Sequence, residues 1–291
     1  MNLKDENGPI EASSKEAKEQ AEELQRLRDI VRKYHLQQRD YQIPIRTPEN
    51  TMRFGVIGDT HFGSLFERTD ALATFYELLA SEGVQHVLHA GDVIEGHKMY
   101  KGQEYEMYVR GLKELLDIFE EKAPRIPGIT THFITGNHDL SFNKSCGCDV
   151  GDHMATRRDD WKHVGDLFGT VNFMCKAGHR LKAHMVHPSG GTPYALSYRT
   201  QKIIEAMSGG TKPDLLLVGH LHKSEHLPCY RNVDGILTGT FQSQTPFMAA
   251  KPTPAHVGGW IIEVVLGERS KLVSRVKGEF ISFYEPEDSN E

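Results

Sequence analysis

The sequence predicts an α/β (α+β) fold in which two β-sheets pack together and helices flank them. Between residues 52 and 135, apolar runs typical of buried strands alternate with amphipathic helices, and polar residues follow the strands. After residue 168 short strands dominate, with a single helix among them. This order favours a two-sheet sandwich over one doubly wound sheet, and it predicts a site at the carboxyl ends of the strands.

The composition is that of a globular protein without a membrane segment. Of 291 residues, 38% are hydrophobic and 25% are charged. No apolar run approaches the roughly 18–20 residues that a membrane helix needs, and the N-terminus lacks the pattern of a signal peptide. We therefore expect a cytoplasmic protein with no membrane partner. The net charge of −6 argues only weakly against a nucleic-acid substrate, because four of the acidic residues lie in the last seven positions.

Residues 1–50 predict an amphipathic helix followed by a proline-containing linker. Ser13 and Glu16 match a capping box, and apolar residues then recur every three or four positions. Because this apolar stripe is narrow, we expect the helix to dock on the main domain or to pair with another copy or a partner protein. Binding of its basic end to nucleic acid is the alternative. Pro44 and Pro48 mark the linker, since proline cannot continue a helix.

Residues 51–284 are expected to form the main domain, and residues 285–291 an acidic tail. Within the domain, residues 141–168 are rich in charge and turn formers and predict a loop-rich insert without a regular element before Asp159. In chain order, the predicted strands are 52–57, 85–89, 130–135, 170–174, 181–186, 215–218, 235–238, 259–265 and 271–276, and the predicted helices are 71–80, 104–122 and 198–207.

Residues of the types that bind metal ions occur in glycine-containing turns directly after four predicted strands. These turns are Gly58-Asp59, Gly91-Asp92, Gly136-Asn137 and Gly219-His220. His61 and His222 each stand two positions after the first polar residue of their turn, so the alternate side chains can project the same way. A fifth position, His187, ends the strand 181–186, whereas His184 lies three residues earlier and faces the other side.

Mixed nitrogen and oxygen ligands suit Mn, Fe, Zn or Co better than Ca or Mg. Two ions about 3.5–4 Å apart need a shared ligand, and Asp92 is the natural bridging residue because it is the one strong ligand in its motif. Any single motif would also fit a polar loop with a chance histidine. Five such motifs in series at strand ends favour a site for two divalent transition-metal ions, and Mn²⁺ is the metal we expect.

Together the five motifs resemble the calcineurin-like metallophosphoesterase superfamily. Its ordered signature is Asp-x-His, Gly-Asp, Gly-Asn-His-Asp/Glu, a lone His and Gly-His-x-His, and the resemblance covers about residues 52–245. It implies an αββα sandwich with a dinuclear centre. By position it implies that the first metal is held by Asp59, His61 and His222 and the second by Asn137, His187 and His220, with Asp92 as the bridge.

The resemblance also implies roles for the residues that follow Asn137. His138 would not be a ligand but the general acid, and Asp139 would orient and charge it. A hydroxide that bridges the two metals would attack phosphorus in line, because the cations lower the pKa of the shared water.

The pattern around the motifs bears on the substrate. No arginine follows Asp92 in Asp92-Val93-Ile94-Glu95-Gly96, and the third motif ends in Asp139, which resembles the nuclease and phosphodiesterase branches, such as Mre11-type nucleases, more than Ser/Thr protein phosphatases. Gly239-Thr240-Phe241-Gln242 is similar to a segment of those nucleases. Residues 97–101 and 157–162 both mix cations with an aromatic ring, which suits phosphates and bases, although a solvated charged loop is the alternative.

We therefore predict a metal-dependent phosphodiesterase that acts on nucleic acid or nucleotides. A small-molecule phosphodiesterase or phosphatase, for example one acting on cyclic nucleotides, is the alternative. A non-catalytic structural subunit of the kind found among polymerase-associated relatives is a third possibility. It is disfavoured because such relatives lose ligands, whereas every expected ligand is present here.

Overall fold

The structure, a computed structural model, describes residues 40–45, 50–175, 178, 180–191, 193–267 and 273–284. The predicted N-terminal helix and the acidic tail lie outside the described residues. Within the described residues, no helix is long and apolar enough to cross a membrane.

Twelve strands and six α-helices are described. The strands are β1 (Asp40–Ile45), β2 (Thr51–Ile57), β3 (His86–His89), β4 (Thr130–Thr135), β5 (Trp161–Asp166), β6 (Phe168–Cys175), β7 (Arg180–Val186), β8 (Leu215–Val218), β9 (Ser224–Tyr230), β10 (Val233–Thr238), β11 (Gly258–Leu266) and β12 (Val273–Ser282). The helices are α1 (Thr69–Ser81), α2 (Leu112–Lys122), α3 (Leu140–Cys146), α4 (Val150–Arg157), α5 (Ser197–Ala206) and α6 (Pro246–Ala249), and 3₁₀ turns occur at Gln103–Tyr105 and Gly209–Thr211.

The strands form two six-stranded sheets, with strand orders β1-β6-β7-β8-β10-β9 and β12-β11-β2-β3-β4-β5. Apolar residues from both sheets share one buried cluster, and Phe54 of β2 stacks on Phe173 of β6 with ring centroids 5.0 Å apart. On the outer faces, α1, α2 and α4 pack against the second sheet and α5 against the first. These four layers confirm the predicted αββα sandwich.

The alternation of side chains along β8 explains why its sequence is apolar throughout. Leu215 and Leu217 point into the cluster between the sheets, whereas Leu216 and Val218 pack with Ile204 of α5. A strand covered on both faces needs apolar residues at every position. The sequence Leu-Leu-Leu-Val therefore identifies a central strand.

Residues 40–45 lie in the segment predicted as a linker but form a strand. β1 pairs in parallel with β6 at one edge of its sheet, and Ile43 is buried in the cluster between the sheets. Pro44 is tolerated because an edge strand forms backbone hydrogen bonds on one side only, so the N–H that proline lacks is not required on the open side. The linker prediction is wrong for these six residues.

The predicted loop-rich insert at 141–168 is also wrong, because it contains α3, α4 and β5. The two helices are short, and their apolar residues Phe142, Val150 and Met154 are buried against the helical layer. Helices of two turns depend on such packing rather than on a long sequence pattern. This dependence explains why the periodicity did not reveal them.

One helix begins later than predicted, and one further strand was not predicted. The helix expected over 104–122 begins at Leu112, because Gly111 has a φ of 98° and a separate 3₁₀ turn occupies Gln103–Tyr105. The strand β9 was not predicted at all, because it carries no buried face and therefore no alternation of apolar residues.

Candidate metal centre

The seven predicted metal ligands lie in loops that directly follow five strands. β2, β3 and β4 run parallel in one sheet, and β7 and β8 run parallel in the other. Because the carboxyl ends of parallel strands meet at one edge, the two sheets bring these loops together at one end of the sandwich. The polar residues at the strand ends are Asp59, His61, Asp92, Asn137, His187, His220 and His222.

The first group of converging ligand atoms comes from Asp59, His61 and His222. The Nε2 atoms of the two histidines lie 3.1 Å apart, and His222 Nε2 lies 3.4 Å from Asp59 Oδ1. Ligands bound about 2.0–2.2 Å from one ion at ordinary coordination angles lie roughly 3.0–3.4 Å from each other. The spacing therefore fits a metal ion at this place.

The second group comes from Asp92, His187 and His220. His187 Nε2 lies 3.0 Å from Asp92 Oδ2 and 3.0 Å from Asn137 Oδ1, so the amide joins this group. Asp92 Oδ2 also lies 4.0 Å from His61 Nε2, on the side of the first group. Asp92 therefore lies between the two groups, where a bridging carboxylate would be needed.

The structure also distinguishes His187 from His184. The ring of His187 is held by a hydrogen bond between its Nδ1 atom and the carbonyl oxygen of Ala90, 2.8 Å away, which turns Nε2 toward the other ligands. The Nδ1 atom of His184 instead lies 3.0 Å from the hydroxyl of Thr170. A ring nitrogen fixed by a backbone carbonyl is the usual way of orienting a metal-binding histidine.

The backbone at the centre is unusual. Five of the seven ligands have positive φ angles: Asp59 at 55°, His61 at 48°, Asp92 at 54°, His220 at 75° and His222 at 53°. Residues with a Cβ rarely adopt this conformation, which costs on the order of 1–3 kcal/mol each and occurs where the surrounding structure requires it. The concentration of five such residues is typical of a functional site.

Gly136 is required for space rather than for its dihedral angles. A Cβ atom at this position would lie 2.1 Å from Asp92 Oδ1 and 2.4 Å from the backbone nitrogen of Asp92. Any side chain would therefore displace the carboxylate that joins the two groups. The glycine in Gly136-Asn137-His138-Asp139 permits this close approach.

The buried carboxylates and imidazoles shift one another's pKa values. Burial alone would raise the pKa of Asp92, but the charges of His187 and His138 lower it well below its usual range. Burial would likewise lower the pKa of His187, but the charges of Asp92 and Asp59 raise it to about 9. A cluster that holds carboxylates charged and attracts positive charge suits cations, and its mixed N and O donors fit a transition metal.

His138 has no hydrogen bond to Asp139, contrary to the predicted orienting role of that carboxylate, although the charge of Asp139, after those of Asp92 and Glu95, helps to raise the pKa of His138. The Nδ1 atom of His138 lies 2.6 Å from the carbonyl oxygen of Glu95 and 3.9 Å from Glu95 Oε1. Its backbone N–H donates to Asp92 Oδ1 at 2.8 Å. The orientation of His138 is therefore set by Glu95 and Asp92.

Asp139 instead holds two loops together. Its carboxylate accepts hydrogen bonds from the backbone N–H groups of Gly136 at 2.7 Å, Val93 at 3.2 Å and Ile94 at 2.9 Å. Burial and the charge of Asp92 raise the pKa of Asp139 to about 7, while the three donors favour its charged form. The residue fixes the loop after β3 against the loop after β4.

Glu95 is the functional residue that the motifs did not reveal. It is 1% exposed, and its Oε2 atom lies 3.1 Å from His61 Nδ1, on the side of the ring opposite the metal-facing Nε2 atom. The amides of Gln103 and Gln242 each donate to its carboxylate at 3.0 Å. The available signal was a charged residue directly after the apolar pair Val93-Ile94.

A cavity of about 530 Å³ opens beside the two ligand groups. His138 and Asn137 form part of its wall at the metal centre. Farther out it is lined by Tyr100, Phe247 and Lys251, and the rings of Tyr100 and Phe247 stack with centroids 3.9 Å apart. A substrate bound at the centre would therefore meet an aromatic surface and a cation.

The two-sheet sandwich with these candidate ligand groups at its strand ends has the fold of the metallophosphoesterase superfamily. In agreement, residues 52–238 match the calcineurin-like phosphoesterase superfamily domain. The chain belongs to this superfamily.

Individual relatives are more distant. The DNA polymerase II small subunit of Halobacterium salinarum is 25% identical over 245 residues, covering 69% of this chain and 46% of that protein. The corresponding subunit of Methanothermobacter thermautotrophicus is 26% identical over 252 residues, covering 69% of this chain and 50% of that protein. The chain thus spans about half the length of these curated relatives.

Among solved structures, the chain is similar to Vps29 proteins. Vps29 from Entamoeba histolytica, solved with zinc, has 16% sequence identity and a TM-score of 0.38, covering 80% of this chain and 100% of that one. Vps29 from Chaetomium thermophilum has 13% identity and a TM-score of 0.40, covering 81% and 100%.

Proposed function

We propose that the chain is a phosphodiesterase that uses two divalent transition-metal ions, Mn²⁺ first among them, and acts on nucleic acid or nucleotides. The observation that supports this most is the pair of ligand groups that meet at Asp92 beside an open cavity. One group alone could be a structural metal site, but two groups with a common carboxylate suit phosphoester hydrolysis.

In this proposal Asp59, His61 and His222 hold one ion, and Asn137, His187 and His220 hold the other. Asp92 is common to both. Bound there, the ions would neutralise the phosphoryl oxygens and lower the pKa of water at the reacting phosphorus. The chain's own contribution is to fix these seven side chains before a substrate arrives, through the strained backbone of the loops and the hydrogen bonds behind them.

His138 acts as the general acid. Its Nδ1 atom is engaged by the carbonyl oxygen of Glu95, and the residue lines the cavity, so Nε2 is the ring atom left to face a leaving group. A proton donated from Nε2 would neutralise the departing oxygen as the phosphorus–oxygen bond breaks. Glu95 acts through His138 and His61 as a positioning residue, and Asp139 holds together the loops that carry Glu95 and His138.

The cavity wall favours a nucleic acid or nucleotide over a simple phosphomonoester. Tyr100 and Phe247 stack on each other in the wall, and Lys251 lies with its Nζ atom 4.0 Å from the ring centroid of Phe247, so the wall combines aromatic rings with a cation. Aromatic rings beside a cation are the combination that binds bases and phosphates together. The names of the polymerase-subunit relatives agree with a nucleic-acid context.

The test is metal-dependent hydrolysis. Protein stripped with a chelator is expected to regain hydrolysis of bis-p-nitrophenyl phosphate when Mn²⁺ is added, and Asp92→Ala is expected to remain inactive under the same conditions. Labelled single- and double-stranded DNA and RNA are then assayed beside cyclic nucleotides. No recovery with any transition metal would refute an enzymatic function, and cleavage of cyclic nucleotides alone would replace the nuclease by a small-molecule phosphodiesterase.

The polymerase-subunit relatives support a second function, association with a DNA polymerase as a structural subunit. Their similarity covers 69% of this chain. Under this alternative the metal-loaded protein hydrolyses none of the phosphoesters, and Asp92→Ala binds a polymerase large subunit as tightly as the unchanged chain does. The activity panel together with a binding measurement on this variant separates the two functions.

A further inference from the structure

A second cavity, of about 540 Å³, lies in the segment between His97 and Arg110. Three cations line it, Lys98, Lys101 and Arg110, against one carboxylate, that of Glu104. The lining therefore carries an excess of positive charge in a chain whose net charge is −6. A local cationic cavity in an acidic protein is a place where an anion would be attracted.

The three cations have no ion-pair partners among the residues that the structure describes. By contrast, Lys113 pairs with Asp117 and Lys122 pairs with Glu67 a short distance further along the chain. Lys98, Lys101 and Arg110 are all exposed, and within the described part of the chain their one side-chain hydrogen bond runs from the Arg110 guanidinium to the backbone carbonyl of Glu104. Their charges are therefore available to a ligand.

The segment is fixed to the metal centre rather than loose. The backbone N–H of His97 donates to Ser141 Oγ at 2.8 Å, and that of Met99 donates to Gln103 Oε1 at 2.9 Å. The Gln103 amide in turn donates to the backbone carbonyl of Glu95 at 2.8 Å and to its carboxylate at 3.0 Å. Since Glu95 also orients His138, the backbone that carries the cations is fixed relative to the metal centre.

Tyr100 joins the two cavities, because it lines both of them. On the metal side its ring stacks on Phe247, with an angle of 16° between the ring planes. The two cavities are therefore neighbours, and a ligand that reached from one to the other would lie beside Tyr100. The order of features is therefore metal centre, aromatic rings, cations.

We propose that the second cavity binds a neighbouring phosphate of the same nucleic-acid strand whose phosphodiester lies at the metal centre. This order of features matches a strand, in which successive phosphates are separated by a sugar whose base can contact a ring. A cyclic nucleotide or a nucleotide with one phosphate has nothing to place there. The inference rests on the proposed function and narrows its substrate to chains with at least two phosphates.

The experiment measures binding to the full, Mn²⁺-loaded chain by isothermal titration calorimetry. The ligands are a thymidine dinucleotide with one phosphorothioate linkage, which resists hydrolysis, and the same dinucleotide with an added 5′ or 3′ terminal phosphate. We expect one of the two added phosphates to strengthen binding by about tenfold at low salt, as a charged contact typically does. The end that gives the gain reports the direction in which the strand lies.

In the double variant Lys98→Gln/Lys101→Gln, the increase in binding affinity from the added phosphate should fall below about twofold, because the cations that contact the phosphate are gone. The matched control is Lys202→Gln/Lys277→Gln, which removes the same charge from two residues that line neither cavity. The control should keep the full gain. A loss in the control as well would show that total charge, not this cavity, is responsible, and would overturn the proposal.

Two other results would also overturn it: no gain from either phosphate in the unchanged chain, or a full gain in Lys98→Gln/Lys101→Gln. Hydrolysis of the same dinucleotides with an ordinary phosphodiester linkage, with and without the added terminal phosphate, tests the proposed function separately. If hydrolysis fails but the gain depends on Lys98 and Lys101, the phosphate site stands and the nuclease does not. If hydrolysis occurs but the gain does not depend on them, the nuclease stands and the site does not.

Discussion

Two segments of similar composition differ in burial: one lies at the surface of the fold and the other is largely buried. Residues 97–101 and residues 157–162 each combine cations with an aromatic ring, and the sequence predicts both as places that could contact a substrate. The first segment stays at the surface, between the two cavities. In the second, Arg158 and Trp161 are 0% exposed. Composition alone therefore does not identify a binding segment.

What separates the two segments is how their hydrogen-bonding capacity is used. The guanidinium of Arg158 donates to the carbonyl oxygens of Glu120, Ala123 and Pro124, at 3.2, 2.8 and 2.9 Å, and to both oxygens of Asp160. These carbonyls end α2, so Arg158 satisfies groups that every helix terminus leaves unpaired. Lys98 and Lys101 have no such partners in the described part of the chain. The segment whose donors remain free is the one that can bind.

The largest effect is expected from removing the buried hydrogen bonds of Arg158. Arg158→Met should lower the free energy of unfolding by roughly 3–5 kcal/mol, because the carboxylate of Asp160 and the end of α2 lose their buried partner. Urea denaturation measures the change. The matched variant Lys98→Met should stay within about 0.5 kcal/mol of the unchanged chain, as exposed substitutions do. Equal effects in the two variants would refute the distinction between the segments.

A slightly smaller effect, on rate instead of stability, is expected at the metal centre. His138→Ala should lower turnover by roughly 10²–10³-fold, because general acid catalysis is lost. The loss should be greatest for esters with poor leaving groups, and metal analysis should still find both ions. Urea denaturation should show little change, in contrast to Arg158→Met.

Asn137→Ala is the companion variant, since it should weaken the binding of one of the two metal ions. If His138→Ala loses metal as well, the separation between a ligand and an acid in adjacent residues is wrong.

The two carboxylates near His138 allow a finer comparison. Glu95→Gln should lower kcat by roughly 10–100-fold, the usual effect of changing a residue that orients a metal ligand, because its carboxylate lies 3.1 Å from His61 Nδ1. Asp139→Asn should instead lower the free energy of unfolding by about 1–3 kcal/mol, because one amide oxygen cannot accept from three backbone N–H groups. A larger loss of kcat in Asp139→Asn than in Glu95→Gln would restore the predicted role of Asp139.

The sequence predicted which candidate ligands would converge because each of them follows an apolar run, and such runs are local features. His187 was singled out for the same reason, since it follows a predicted strand and precedes Pro188. Glu95 was missed because its role depends on His61, Gln103 and Gln242, which meet it only in the folded chain. The pattern showed where polar side chains leave the core, but not which of them would contact each other.

The errors in the fold have the same origin. β1 is held by its pairing with β6, and α3 and α4 by burial of Phe142, Val150 and Met154. These contacts join residues far apart in sequence, and no local periodicity reports them. β4 and β8, by contrast, were predicted with their observed bounds, because both are buried strands whose ends are marked by a glycine-containing turn in the sequence.

The smallest effect is expected at His132, a buried basic residue that lacks the hydrogen-bond partners of Arg158. His132 of β4 is 4% exposed, and its Nδ1 atom has no hydrogen-bond partner among the residues described. Its Nε2 atom lies 3.3 Å from Nδ1 of His86. Burial, together with the charges of His86 and Lys162, lowers the pKa of His132 to about 3. Where Arg158 is charged and fully bonded, His132 is kept neutral.

The sign of the pH effect follows from this lowered pKa. Below pH 6.5 the unfolded chain binds a proton at His132 and the folded chain does not, so stability falls as the pH decreases from about 6.5 toward 3, by at most about 1.4 kcal/mol per pH unit. Urea denaturation at pH 6.5 and 5.0 should show a smaller difference in His132→Gln than in the unchanged chain. The control His153→Gln alters an exposed histidine and should leave the difference as it was. An unchanged pH dependence in His132→Gln would mean that the folded protein accommodates a proton there, as it does the charge of Arg158.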